Sequence, residues 1–313
     1  MFPTMRRPQT SRVAAAPELA KNRSGAWAKM WPYLFLAPAM AIFALFSYYP
    51  LGDTVYRSMQ ASDLFGRPAG FVGFENYMAM LQSSEFLATL LRTLVYVVGS
   101  VGLKLLVGLA IALPLSSRLV GTVVVRPMVL IPMAFSTAVA GVVFKMMYQP
   151  EVGTFDQIFR VFGWESPGWL TDGSMAMLSV ILTDLWVGIG LTVLLLISAL
   201  DSIPGNVMEA ASLDGVTWAK KIWYMQLPLI TPTLFFIVIT QTIAALRQFT
   251  LINILTEGGP NGATTTLTYD LYNIAFASNA SFGESAARGV VLMVIVGVIS
   301  WLQFRLGERR VNY

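Results

Sequence analysis

Six stretches of this chain each carry about twenty or more residues that are almost all apolar, and that restricts the available folds more than any other feature. They run over residues Trp31–Tyr49, Leu90–Leu113, Val123–Tyr148, Met175–Leu200, Thr233–Leu255 and Ser285–Leu306. At ~1.5 Å rise per residue, each is long enough to cross a hydrocarbon layer of ~30 Å as a helix. Inside lipid every backbone polar group needs an internal partner, so only helices and closed barrels cross it. Barrel strands would alternate apolar and polar residues, and these unbroken Leu/Val/Ile runs do not. The expected fold is therefore an all-α integral membrane protein with six transmembrane helices. Composition agrees: 56% of the residues are hydrophobic and 12% are charged, half the charge of an ordinary soluble domain (about 25%).

The distribution of basic residues orients the spans. With the N-terminus inside, the inner segments hold Arg6, Arg7, Arg12, Lys21, Arg23, Lys29, Arg118, Arg126, Lys220, Lys221, Arg305, Arg309 and Arg310. The outer loops hold Arg57, Arg67 and Arg160. Thirteen against three is a strong positive-inside bias. It places both termini and the 201–232 loop in the cytoplasm, in a multi-pass protein of the cell inner membrane. Residues 1–29 read as a basic cytoplasmic tail and 30–313 as the six-helix domain. The net charge of +4 reflects this topology, and no nucleic-acid partner is expected.

Cysteine and histidine are both absent. Disulfides, thiol chemistry, Cys/His zinc sites and imidazole acid–base catalysis are excluded with them. No phosphate-binding G-x-x-x-x-G-K-[ST] loop occurs, so the chain does not bind ATP by that route. No internal repeat is evident. A membrane enzyme without imidazole, thiol or a carboxylate cluster has little to work with.

The 201–232 loop breaks the apolar pattern. "DSIPGNVMEAASLDG" places Ser202 to cap a helix that takes Pro204 in its first turn. Val207, Ala210, Ala211 and Leu213 form a short apolar stripe, and Asp214-Gly215 marks a turn suited to a left-handed residue. Thr217 is placed to cap a second helix, "WAKKIWYMQ", and Pro228 and Pro232 mark entry to the fifth span. One reading of this helix–turn–helix is an amphipathic loop lying at the membrane surface. The spacing is more specific: Glu209, Ala210, Ala211, then Gly215, Met225, Leu227 and Pro228 resemble the "EAA" loop of permease subunits of ABC importers. Isoleucine is usual where Met225 stands, a swap that keeps volume and polarity. "LPLITP" (227–232), "LIPMAFSTAVAGVVFKMMYQPEVG" (130–153), "FVGFENY" (71–77) and "GGPNGATTTLTYDLYNIAF" (258–276) resemble the carbohydrate-uptake branch of that family. "GATTTLTYDLY", "SAARGVVLMVIVGVISWLQFR" and the "RVNY" ending are most similar to its glycerol-3-phosphate members.

The resemblance implies a non-catalytic transport subunit whose loop couples to a separate ATPase through Glu209, Ala210, Ala211, Asp214, Gly215, Leu227 and Pro228. No cofactor is expected in this chain, since ATP and magnesium would be bound by the partner. The other implied partners are a second permease, an ATPase dimer and an extracytoplasmic solute-binding protein. The implied solute is small and polar, glycerol-3-phosphate or a glycerophosphodiester, with a neutral sugar such as trehalose or a maltooligosaccharide as the alternative. An ion-coupled secondary carrier is a further alternative, but such carriers often show inverted repeats.

Charges within the spans need partners or a water-filled path, because each costs at least ~2.5–3.5 kcal/mol near mid-bilayer. Lys104, Asp184 and Arg247 lie inside spans two, four and five, while Arg92, Lys145 and Arg288 lie near outer ends, where they can snorkel. In span five, Thr240, Arg247 and Thr250 fall on one helical face with Gln241 and Gln248 beside them. Together with Asp184 these are the candidate lining of a substrate path, with Arg247 suited to a phosphate. The competing reading pairs Asp184 with Arg247 and merely fastens spans four and five. Lys104 would then face the partner permease. Trp186 is a candidate for stacking on a sugar or for plain packing. Lipid is the expected surroundings of the remaining apolar surface.

Overall fold

The computed structural model describes residues 26–63, 66–116, 121–276 and 281–307. Most of the basic tail lies outside them. So do Arg118, Arg309 and Arg310, the "RVNY" ending, and the side chain of Lys29. The chain divides into two compact units, residues 1–53 and 54–313.

In the first unit, α1 (Ala26–Phe43) passes Pro32 and Pro38 and continues through a π-helical turn, Ala44–Tyr48, into α2 (Tyr49–Arg57). The wider turn falls two residues before Pro50. A proline ring clashes with the carbonyl four residues back and offers no N–H to it, and a π-turn relieves both.

The boundary between the units falls within α2, and the second unit continues with a small hairpin, β1 (Gln60–Ser62) antiparallel to β2 (Pro68–Phe71). Sequence patterning gives no strand here, and the hairpin corrects the all-α expectation in this one place. Strands of three and four residues are too short to establish an alternation, and tertiary bonds fix the first: the Asn76 amide donates to the carbonyls of Ser58 and Gln60, both at 2.9 Å. Next come α3 (Glu75–Gln82) and α4 (Ser84–Ser116), then α5 (Thr122–Leu130) and α6 (Thr137–Met147). α7 (Thr154–Val161) precedes α8 (Gly173–Asp201). The loop helices α9 (Gly205–Leu213), α10 (Trp218–Lys221) and α11 (Leu227–Leu229) lead into α12 (Thr231–Leu246) and α13 (Thr250–Leu255). α14 (Leu267–Phe276) and α15 (Phe282–Gly307) complete the unit.

Among the described residues, four helical stretches are long and apolar enough to cross a membrane: Met30–Arg57, α4, α8 and α15. The third and fifth expected spans are broken. α5 and α6 meet at 97° across a 3-10 turn, Ile131–Ala134, whose Pro132 is buried. Ser136 then starts α6 as its N-cap, accepting the Val139 N–H at 3.2 Å. The fifth span stops at Leu246 and resumes at Thr250. Helix ends leave carbonyls without partners, and here the Thr268 hydroxyl donates to the Leu246 carbonyl at 2.7 Å. The partner comes from α14, so no local signal announces the break.

The core is built on α4 against α8. Glycines set the approach: a Cβ on Gly99 would lie 2.8 Å from Ile181, and one on Gly108 would lie 2.9 Å from Thr192. Small residues of this kind allow close backbone approach where the hydrophobic effect drives no helix pairing. One buried cluster joins Tyr96, Val97 and Val101 to Val180, Ile181 and Leu251. A second joins Ala112 and Leu115 to Val193, Leu196, Ile230 and Ile237. Both run across α4 and α8, and each extends to α12 or α13.

Candidate functional site

The loop between α8 and α12 is the helix–turn–helix expected from its residues. α9 ends in a Schellman arrangement: the Gly215 N–H reaches the Ser212 carbonyl at 3.2 Å and the Val216 N–H reaches the Ala211 carbonyl at 3.1 Å. This closure requires a left-handed residue, and Gly215 has φ +68°. No atom lies within 4 Å of where its Cβ would be, so backbone strain, not space, limits substitution there. α10 is tied back across the turn by Lys221 Nζ, which donates to Ser212 Oγ at 2.7 Å.

Several local details differ from the sequence reading. α9 starts at Gly205 with Pro204 as N-cap and no side-chain cap. Ser202 instead closes α8, its hydroxyl bonding the Ala199 carbonyl at 2.7 Å. Thr217 occupies the N-cap position of α10 without a side-chain bond. The apolar stripe is not continuous: Ala211 is buried, Ala210 faces outward, and Leu213 is 88% exposed. Glu209, Asp214 and Pro228 are exposed, and Leu227 is half-buried. Before Pro228 the chain forms a second π-turn, Ile222–Gln226, at the same offset from proline as in the first unit. Trp218–Leu229 then meets α12 at 69°. A cleft of about 480 Å³ lies between α9 and α10 and the ends of α4 and α8, with Met208, Glu209, Trp218 and Lys221 on its walls. At its edge Arg126 donates to the Leu115 carbonyl at 2.8 Å and pairs with Asp201 at 3.3 Å. One arginine thus caps α4 and holds the start of the loop.

The ionisable residues inside the helices are paired differently from either sequence reading. Asp184 does not meet Arg247. It accepts from Lys104 Nζ at 2.7 Å and from the Ser100 hydroxyl. Lys104 is 3% exposed and Asp184 5%, so Lys104 does not face a partner. Its ammonium also donates to Gln241 Oε1 at 3.3 Å, and Gln241 Nε2 donates to Thr192 Oγ1 at 3.3 Å. α4, α8 and α12 each contribute to this buried network. The sequence marks Lys104 and Asp184 as opposite charges inside spans two and four, and the packing of α4 on α8 makes them partners. Ser100 and Thr192 carried no such signal.

The expected face in span five forms only in part, because the helix breaks before Thr250. Thr240 and Arg247 are exposed and Gln248 and Thr250 half-buried, whereas Gln241 points the other way into the buried network. Arg247, Gln248 and Phe249 form the break itself, and Thr250 begins the next helix. The Thr240 hydroxyl bonds back to the Phe236 carbonyl at 2.9 Å. Asp184 and Gln241 are thus enclosed within one subunit, while Thr240 and Arg247 remain accessible. Trp186 packs on Phe135 and Phe144 at centroid distances of 5.6 and 5.4 Å, in line with the packing reading.

Two of the cations expected near span ends, Lys145 and Arg288, are ion-paired. Lys145 meets Glu257 at 3.3 Å, and Arg288 Nε donates to Asp270 Oδ2 at 2.7 Å. Burial pushes the Asp270 carboxyl above its ordinary range, and Arg288 holds it back. No group of three or more metal-ligating side chains occurs among the described residues.

Residues 104–313 match the family described as "Binding-protein-dependent transport system inner membrane component". Over 292 residues the chain is 37% identical to the sn-glycerol-3-phosphate transport system permease protein UgpA of Agrobacterium fabrum, covering 91% of this chain and 97% of that one. Proteins of the same name from Rhizobium meliloti and Yersinia pestis are 35% and 33% identical, covering 91% and 94% of this chain and 97% and 100% of theirs. Among solved structures, a chain of a bacterial alginate ABC transporter, in complex with alginate pentasaccharide-bound periplasmic protein, superposes with a TM-score of 0.79. It is 20% identical over 91% of this chain and 97% of its own, a likeness of fold. Two broken spans, a glycine-closed loop between α8 and α12, and relatives matched over nearly their full lengths place the chain in one family: it belongs to the inner membrane components of binding-protein-dependent transport systems, the non-catalytic permease subunits of ABC importers.

Proposed function

We propose that this subunit forms half of the translocation path for sn-glycerol-3-phosphate or a glycerophosphodiester, in a complex with a second permease, an ATPase dimer that binds Mg·ATP, and an extracytoplasmic binding protein that delivers the solute. In this reading the chain crosses the membrane six times with both termini and the 201–232 loop in the cytoplasm. The α9–α10 pair seats in a groove of the ATPase, with Glu209 meeting a basic residue there. Closure of the ATPase dimer on ATP moves the pair and opens the path outward, and hydrolysis resets it.

The observation that carries the reading is the closure of α9 by Gly215. A short helix whose end is fixed by a left-handed glycine, held at both ends by long helices, is a stiff projection with an acidic and apolar outer side. For the solute, support comes from relatives named for sn-glycerol-3-phosphate and from the break at 247–249. There the Arg247 guanidinium is exposed and has no side-chain partner among the described residues, and its fork matches phosphate oxygens. Thr240, Gln248 and Thr250 lie near it along the chain as further polar contacts.

The test is ATP hydrolysis by the purified complex in proteoliposomes, with the binding protein and a panel of solutes. Stimulation by sn-glycerol-3-phosphate or its diesters is the expected result. Stimulation by trehalose or maltooligosaccharides alone would overturn the solute assignment. Gly215→Trp is expected to abolish uptake while the permease still inserts, and normal uptake by that variant would refute the lever.

A further inference from the structure

The loop leaves α8 at Asp201 and re-enters the helical body at the start of α12, so these two helices are its arms. Asp184 lies about 25 Å along α8 from Asp201, and Gln241 about 15 Å along α12 from Thr231, at 1.5 Å per residue. One side chain reaches both. Lys104, on α4, donates to Asp184 at 2.7 Å and to Gln241 at 3.3 Å, and the Gln241 amide closes the circuit onto Thr192 of α8 at 3.3 Å. The site is shaped for this lysine: a Cβ on Gly188 would lie 2.8 Å from Lys104 Cε. Ionised groups are costly to bury and are seldom retained without a role. A hydrophobic contact would pack the helices equally well but would let them slide. A charged, directional bond fixes their register.

We infer that Lys104 is a positioning residue that bolts the two arms of the coupling loop to each other through Asp184 and Gln241. Force on the loop then swings α8 and α12 as one body and reaches the break at 247–249. Without the bolt, the same force is dissipated as slippage between the arms, and ATP is hydrolysed without matching transport. This rests on the reading of α9–α10 as the ATPase contact.

The experiment measures solute moved per ATP hydrolysed by the reconstituted complex. The double variant Lys104→Met/Asp184→Leu removes both charges and so leaves no ion unpaired. It is expected to assemble and hydrolyse ATP while the transport ratio falls at least fivefold. The chain has no cysteine, so Thr192→Cys with Gln241→Cys can be joined by a short, reductant-cleavable thiol cross-linker in place of the polar bridge. Cross-linking of that pair in the double variant should restore the ratio, and cleavage of the linker by reductant should abolish the rescue. Lys104→Arg keeps the charge but outgrows the space beside Gly188, and serves as a second, milder variant with the same expected rescue. An unchanged ratio in both variants overturns the bolt, as does a parallel fall of uptake and hydrolysis that cross-linking leaves untouched. A Glu209→Ala control that assembles and couples normally would overturn the loop reading instead, and the bolt with it.

Discussion

Helices α8 and α12 flank the same loop and look alike in hydropathy, yet α8 runs unbroken for 29 residues while α12 ends at Leu246 and restarts at Thr250 for only six. The difference lies in where each helix keeps its polar groups. α8 turns Asp184 and Thr192 inward, where Lys104 and Gln241 meet them. α12 turns Gln241 and Thr242 inward and leaves Thr240 accessible, with Arg247 exposed just past its end. The first arrangement makes a beam, the second a beam with a joint near its C-terminal end. Apolar length reports that a helix can cross a bilayer; whether it stays whole is decided by partners on other elements.

The contrast is open to attack at several points. Asp184→Asn strands the buried Lys104 ammonium and should cost about 3–5 kcal/mol, read as a lower unfolding midpoint in detergent. If the cost resembled that of a surface change, the beam would not depend on its ion pair. Gly188→Val inserts atoms where Lys104 runs and should cost about 1–3 kcal/mol by overpacking, on the same assay. Thr268→Val keeps the shape but withdraws the donor from the Leu246 carbonyl, for about 1 kcal/mol. Cysteine-accessibility labelling at 247–249 should then change, and an unaltered pattern would mean the joint is held otherwise. Arg247→Ala should alter stability by no more than about 0.5 kcal/mol, yet lower uptake of a phosphorylated solute more than that of a neutral one. Equal effects on both solutes would remove Arg247 from the path.

Much of this architecture was legible in the residues. The helical class followed from unbroken apolar runs, and the turn at Gly215 from a glycine after a short helix. The break between α5 and α6 had its signal in Pro132 and Ser136, but a run of apolar residues on both sides concealed it. The break at 247–249 had none, since its stabilising hydroxyl comes from Thr268. The competing reading, an Asp184–Arg247 pair, fails for a similar reason. Arg247 and Lys104 are both cations within spans, and only the packing of α4 on α8, set by Gly99 and Gly108, decides which one is near. The hairpin before α3 was invisible because its strands are held by Asn76, not by any pattern of their own.

The two widened turns ahead of Pro50 and Pro228 carry one residue more than a regular helical turn. Deleting a single residue from Ile222–Gln226 would return the segment to ordinary winding with the helices on either side still in register, because the wide turn absorbs the extra residue. The same deletion in the regular winding of α9 would instead rotate everything beyond it by about 100° and draw it back by about 1.5 Å. The extra residue therefore lets the chain accommodate Pro228 while keeping the bearing of the Leu227-Pro228 corner, independently of which side chains stand in the turn.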